Sequence, residues 1–352
     1  MPSLNTVHEC FKFNGEHYGF RDLKTLALHL IKTEEYYKKD IGEFLYQWQD
    51  TSNTIALKTS GSTGTPKTIV IKKQAMVNSA IATGIHFNLQ PGSTALLCLP
   101  AHYIAGKMML VRALVLGLEM DSIEPKSNLQ IDLEKQYHFT AMVPLQLEKN
   151  EDKLKAIKTV IVGGAKVSSA LNSKLKELKT TIFETYGMTE TVSHIAVKQL
   201  NNTTKNNSFK TLPNIKITQD DRGCLIVDAP RVSTAVIITN DVVKLLSENE
   251  FEWIGRADTI INSGGIKIFP EQVENLLSGK ISNRFFIASE EDETLGERVI
   301  LIIEGEENDL DISLFNTLDS YSKPKKTYYL SNFVETTSGK IQRKKTLQLL
   351  KK

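Results

Sequence analysis

Two kinds of spacing alternate along this chain. Short runs of apolar, mostly β-branched residues read as strands, and longer stretches with helical apolar spacing read as helices. Strands are predicted at 55–57 and 68–71, then a helix over 74–87 with Ala75, Asn78, Ala82 and Ile85 near one face. A buried-strand pattern over 93–100 closes on Pro100, and a helix follows over 104–118, ending at or near Gly117. Three more alternations come next. A strand at 139–143 runs into a helix opened by Pro144, and one at 159–162 ends in Gly163-Gly164 before a helix over 168–178. A third, at 181–183, leads into Glu184-Thr185-Tyr186-Gly187. Such alternation predicts a mainly parallel sheet covered on both faces, with ligands at the carboxyl ends of its strands.

The first fifty residues show only an aromatic patch (Phe11, Phe13, Tyr18, Phe20) and a helical stretch over 23–30. Beyond a polar loop at 201–208, short strands at 224–227, 235–239 and 251–254 predict a β-rich subdomain. A boundary falls at 255–258. The remainder carries its own small pattern: a helix at 271–277, strands at 285–288 and 299–303, a helix at 310–318 and a strand at 328–334. The expected class is α/β: a large domain over 1–255, a hinge at 256–258 and a small α+β domain over 259–352.

Length and composition narrow the function classes. With 352 residues and 41% hydrophobic content, the chain can build two cores. A net charge of +2 gives no electrostatic case for nucleic acid or a membrane surface. Cys10, Cys98 and Cys224 are scattered, without metal-ligand spacing, which suits a reducing compartment. No secretory pattern opens the chain and no apolar run is long enough to span a bilayer, so a cytoplasmic location is expected. The sequence is silent on oligomeric state.

The densest chemistry lies in Thr59-Ser60-Gly61-Ser62-Thr63-Gly64-Thr65-Pro66-Lys67, between two predicted strands. Hydroxyls supply uncharged donors, glycines let backbone N–H groups approach an anion, and lysine adds a compact positive charge. The reading is a polyphosphate cradle. A Walker loop fails, because Pro66 stands where that motif needs its second glycine and no helix starts there. A polar hairpin turn stays open on this stretch alone. At a strand end, Thr189 offers a hydroxyl to a phosphate and Glu190 a carboxylate to Mg²⁺, which takes oxygen ligands and substrate phosphates.

Together with Tyr186-Gly187-Met188-Thr189-Glu190, Thr239-Asn240-Asp241, Gly255-Arg256-Ala257-Asp258 and Ser338-Gly339-Lys340, this loop resembles the adenylate-forming superfamily. That superfamily comprises acyl-CoA synthetases, peptide-synthetase adenylation domains and luciferases. The matches come in family order from 58 to 341. The resemblance implies ATP, Mg²⁺ and coenzyme A as partners of a small-molecule carboxylate. It assigns residues 59–64 and Lys67 to phosphate, Gly163-Gly164-Ala165 to the adenine, and Glu184, Thr185, Tyr186 and Gly187 to the nucleotide. It gives Asp241 the ribose hydroxyls and Arg256 ribose or phosphate; Asn240 replaces the usual glycine. Asp258 becomes the hinge of a mobile small domain, Gly264-Gly265 a lining of the thiol tunnel, and Lys340 the contact to carboxylate and phosphate during adenylation.

Within that superfamily the string Tyr186-Gly187-Met188-Thr189-Glu190-Thr191-Val192-Ser193-His194 most resembles the o-succinylbenzoate–CoA ligases of menaquinone synthesis. Leu99-Pro100-Ala101-His102-Tyr103 resembles their L-P-x-[aromatic]-H with the last two residue types exchanged. A second carboxylate needs a second contact. Lys107 or Arg112 is the candidate, with Ser193 and His194 near the ring and Tyr103 at the family histidine position. Both cations also read as snorkelling from an apolar helix. Another acyl- or aryl-CoA ligase and an adenylation enzyme that loads a carrier protein remain alternatives.

Overall fold

The computed structural model describes residues 7–58, 68–203, 207–307, 309–336 and 341–351. The chain opens with strands β1 (Lys12–Phe13) and β2 (Glu16–His17) and helices α1 (Leu23–Ile31) and α2 (Tyr36–Trp48). Helix α2 lies in the stretch that showed no helical signal beyond residue 30. Its Ile41, Phe44, Leu45 and Trp48 form one buried stripe. Gly42 is required at the crossing, because a Cβ there would come within 2.7 Å of the Ala27 carbonyl on α1.

A hairpin of β3 (Thr54–Lys58) and β4 (Thr68–Lys72) follows, then α3 (Lys73–Phe87), β5 (Thr94–Leu97), α4 (Ile104–Leu116) and β6 (Glu119–Ser122). Helix α4 ends on Gly117, whose φ of +71° gives the left-handed cap glycine favours. Next come β7 (Tyr137–Met142), α5 (Pro144–Lys149), β8 (Ile157–Val162), α6 (Ser169–Leu175), β9 (Thr181–Gly187) and β10 (His194–Gln199). Strands β1, β6, β5, β7, β8 and β9 lie side by side and parallel. Alternate residues feed two cores: Ile161 of β8 enters one, Val160 and Val162 the other. Both faces are covered, as a parallel sheet requires.

Strands β11 (Phe209–Thr211), β12 (Lys216–Gln219), β13 (Cys224–Asp228), β14 (Ile237–Ser247) and β15 (Glu250–Arg256) form the β-rich part. Hydrogen bonding continues through it from β9 by way of β10, in the order β12-β13-β14-β15-β11-β10-β9, so it extends the parallel sheet. A second sheet begins with β16 (Ile261–Ser263) and β17 (Ile266–Ile268) and is completed by β18 (Phe285–Asp292), β19 (Gly296–Glu304) and β20 (Lys326–Leu330). Helix α7 (Pro270–Leu277) covers one face through Val273 and Leu277, and Phe333 lies on the other, where α8 (Arg343–Gln348) packs through Leu347. The helix expected over 310–318 is a 3₁₀ turn, Ile312–Thr317, capped by Asp311. Phe315 within it and Leu318 at its C-cap are both buried and three apart, the spacing that a 3₁₀ turn eclipses. Among the described residues no helix is long and apolar enough to cross a membrane.

Candidate active site

Three parallel strands, β7, β8 and β9, end at one edge, and glycines let their exits crowd together. The N–H of Gly163 donates to the Met142 carbonyl (3.1 Å), and a Cβ on Gly163 would stand 2.6 Å from the Thr185 hydroxyl. Gly164 follows with a φ of +85°. Gly187 is pressed harder, since a Cβ there would meet the Ser193 carbonyl at 2.4 Å. The turn after it is fixed from inside. The Met188 N–H donates to the buried Thr191 hydroxyl (3.0 Å), which donates to the Ser193 carbonyl (2.8 Å). Thr189 and Glu190 are left facing a cleft of about 330 Å³ that is also lined by β4, by Gln74 and Asn78 of α3, and by residues 230–234.

The expected phosphate loop, residues 59–67, lies outside the described residues, as does Lys340. The flanks of that loop are described: Lys58 pairs with Thr68, and β4 lines the same cleft as Glu190. Glu190 is exposed and makes no ion pair among the described residues. No group of three His, Cys, Asp or Glu capable of holding a metal occurs among them. A single free carboxylate beside the flanks of the expected phosphate loop fits Mg²⁺, which keeps waters and shares its coordination with phosphate oxygens.

The nucleoside residues read from the sequence meet at Asp241. Its Oδ2 accepts from the Tyr186 hydroxyl (2.7 Å), its Oδ1 from Trp253 Nε1 (3.2 Å), and Arg256 Nη1 stands 3.7 Å from Oδ1. Its own N–H donates to Thr239 Oγ1 (3.0 Å), so Thr239 anchors the register irregularity of β14 that presents the carboxylate. Burial and the Asp241 charge push the Tyr186 phenol above its usual range, which keeps it a neutral donor. Trp253 was missed by sequence reasoning. An aromatic two residues before Gly255 is a weak signal, and only the β14–β15 pairing brings it to Asp241.

The side chains of Glu184 and Thr185, expected at the nucleotide, are engaged within the sheet. The buried Glu184 carboxylate pairs with Lys198 Nζ at 2.6 Å and accepts the Val167 N–H at 3.0 Å. The Thr185 hydroxyl donates to the Val162 carbonyl (3.0 Å). Both side chains are committed to holding β9 in place.

The two cations of α4 separate as well. Five residues apart, they lie about 140° around the helix from each other. Lys107 Nζ donates to the Ala101 carbonyl (2.7 Å) and sits 5.1 Å over the Phe44 ring of α2, so it serves helix packing. Neither cation snorkels. Arg112 is 2% exposed, and its nitrogens face Thr83 Oγ1 (3.3 Å), Ser193 Oγ (3.2 Å) and His194 Nδ1 (3.4 Å). It has no carboxylate partner among the described residues, and burial alone pulls its pKa down to about 9. Tyr103 stands at the start of α4, 38% exposed, its ring tilted by 51° against that of His102, which pairs with Asp40.

Between the sheets, Arg256 Nε bonds Asp258 (2.9 Å) within the turn Ala257–Thr259. Gly264 and Gly265 both have positive φ, +58° and +82°, which makes the two-residue β16–β17 turn the type that only such residues allow.

Comparison with known proteins agrees with this layout. A family model described as AMP-binding enzyme matches residues 36–229. A crystal structure of an acyl-CoA synthetase (AMP-forming)/AMP-acid ligase II-like protein from Dyadobacter fermentans is 35% identical. It covers 93% of this chain and 98% of its own, with a TM-score of 0.62. The 2-succinylbenzoate–CoA ligase of Escherichia coli is 26% identical over 89% of this chain and 70% of its own length. The o-succinylbenzoate coenzyme A synthetase of Bacillus subtilis, solved with ATP and magnesium, shares the fold at a TM-score of 0.74 and 17% identity, over 95% of each chain. The family model spans more than half of the sequence, and this chain belongs to the AMP-binding enzyme family.

Proposed function

We propose that this protein is an AMP-forming acid–thiol ligase that joins o-succinylbenzoate to coenzyme A through an acyl-adenylate. The supporting observation is Arg112. A buried guanidinium without an anion is costly to keep, and an acid with a second carboxylate supplies the missing charge. Relatives named 2-succinylbenzoate–CoA ligase support the same choice of acid.

In the first step an oxygen of the reacting carboxylate attacks the α-phosphorus of ATP, and the bond to pyrophosphate breaks. In the second the thiol sulfur attacks the acyl carbon, AMP leaves, and the thiol proton is released. Asp241, steadied by Tyr186 and Trp253, holds the ribose hydroxyls, with Arg256 beside it. Gly163, Gly164 and Ala165 bring backbone against the adenine, and Gly187 shapes the turn that aims Thr189 at phosphate. Glu190 would hold Mg²⁺, which when bound offsets charge on the phosphate oxygens. Residues 59–64 with Lys67, and Lys340, complete the grip from outside the described residues. A small domain over 259–352 turns on 1–255 about 256–258, so that Lys340 and the tunnel at Gly264-Gly265 serve successive steps.

The test is pyrophosphate release with o-succinylbenzoate, benzoate and a fatty acid, with and without free CoA. O-succinylbenzoate should be the best acid, and CoA should sustain turnover. Preference for another acid removes the substrate assignment, and indifference to CoA points to a carrier protein as acceptor. Asp241→Asn should raise the KM for ATP by roughly tenfold, the weight of one charge-assisted hydrogen bond. An unaltered KM would place the ribose elsewhere.

A further inference from the structure

His194 carries a polar atom that no described residue satisfies. The residue is 7% exposed, and its Nε2 has no hydrogen-bond partner among the described residues. The other ring nitrogen, Nδ1, faces Arg112 Nη2 at 3.4 Å and Ser193 Oγ at 3.4 Å. A guanidinium nitrogen can only donate, so Nδ1 accepts there and the ring proton sits on Nε2. The orphan is therefore a donor. It is also neutral: burial, then the Arg112 charge, then His86 hold the imidazole well below its ordinary pKa. The Phe87 ring lies 6.4 Å away between centroids. Position links this donor to the chemistry, for His194 pairs across the strands with Gly187, which opens the Thr189–Glu190 turn.

A buried unpaired N–H is expensive, as is the unpaired cation next to it. The two differ in charge and lie on opposite sides of one imidazole ring. O-succinylbenzoate carries two kinds of acceptor to match: anionic carboxylates, and a neutral ketone between the ring and the aliphatic arm. We infer that His194, fixed as its Nε2–H tautomer by Arg112, is a specificity residue that donates to the ketone oxygen of the acid while Arg112 pairs with the carboxylate that does not react. The inference rests on the substrate reading above and adds to it the group that reads the ketone.

The experiment compares o-succinylbenzoate with 2-(3-carboxypropyl)benzoate, the same dicarboxylic acid with the ketone reduced to a methylene. In the wild-type enzyme the KM of the ketone-free acid should be higher by roughly tenfold, since the Nε2–H stays unpaired. His194→Phe should abolish this preference, and His194→Gln, whose amide N–H can replace Nε2–H, should keep most of it. Melting temperatures of the variants establish that each is folded. If the wild type treats the two acids alike, or if the Phe variant keeps the preference of the wild type, the inference is overturned. The first comparison needs no variant, so it stands even if the substitutions misfold. Absence of turnover with o-succinylbenzoate in the wild type would instead overturn the proposed function itself.

Discussion

Arg112→Met is expected to raise the KM for o-succinylbenzoate by roughly 100-fold while leaving the melting temperature unaltered or higher. The two halves of this result come from one cause. Arg112 is buried, and its partners are hydroxyls, a thioether and an imidazole, with no anion among them. The folded protein therefore bears the desolvation of a guanidinium without a Coulombic return, and replacing buried ions by apolar groups of similar volume has been neutral or stabilising by about 1–4 kcal/mol. Thr83 and Ser193 keep other partners, since Thr83 donates to the Ser79 carbonyl (2.9 Å) and Ser193 lies 3.1 Å from Ser79 Oγ. A more stable but weaker-binding variant would mark Arg112 as a residue kept for its ligand. A clear drop in melting temperature with little change in KM would assign the arginine to packing and remove the argument for a dicarboxylic acid. Both readouts come from a thermal melt and a steady-state titration on the same preparation.

How far the sequence alone reaches depends on whether a feature is local. The strand over Thr159 to Val162 and the helix from Ile104 were legible because their burial is written in consecutive apolar residues. The turn glycines were legible for a similar reason, since Gly164, Gly264 and Gly265 adopt positive φ wherever the rest of the chain goes. Helix α2 was missed although Ile41, Phe44, Leu45 and Trp48 keep helical spacing, because lysines, an aspartate and tyrosines dilute the stripe. Strand β6, with two acidic residues in four, becomes a strand through its neighbours β5 and β1. Asp121 on it is satisfied by Lys135 and by the Tyr137 hydroxyl. At the site the division is the same. Thr189, Glu190 and Asp241 sit in recognisable strings, whereas the contact of Trp253 with Asp241 and the commitment of Lys107 to Ala101 exist only once the elements pack. Lys107 and Arg112 look alike on a helical wheel of apolar residues. Only the tertiary structure shows that one is spent on a backbone carbonyl and the other is left without an anion among the described residues.

Lys198→Met should destabilise the protein by about 3–5 kcal/mol, the scale expected when one partner of a buried ion pair is removed. The Lys198 and Glu184 side chains are 9% and 6% exposed, face each other across the β9–β10 register, and meet at 2.6 Å. With the lysine gone, Glu184 retains a single backbone donor, the Val167 N–H, for a charge that water cannot reach. The double variant Glu184→Gln, Lys198→Met should recover more than half of the lost stability, because the glutamine oxygen still accepts from Val167 and no charge is left behind. Urea unfolding of the wild type, both single variants and the double variant closes the cycle. If Lys198→Met loses less than about 1 kcal/mol, or if the double variant recovers none of the loss, the pair does not carry the strand junction on which Tyr186 and Gly187 are mounted.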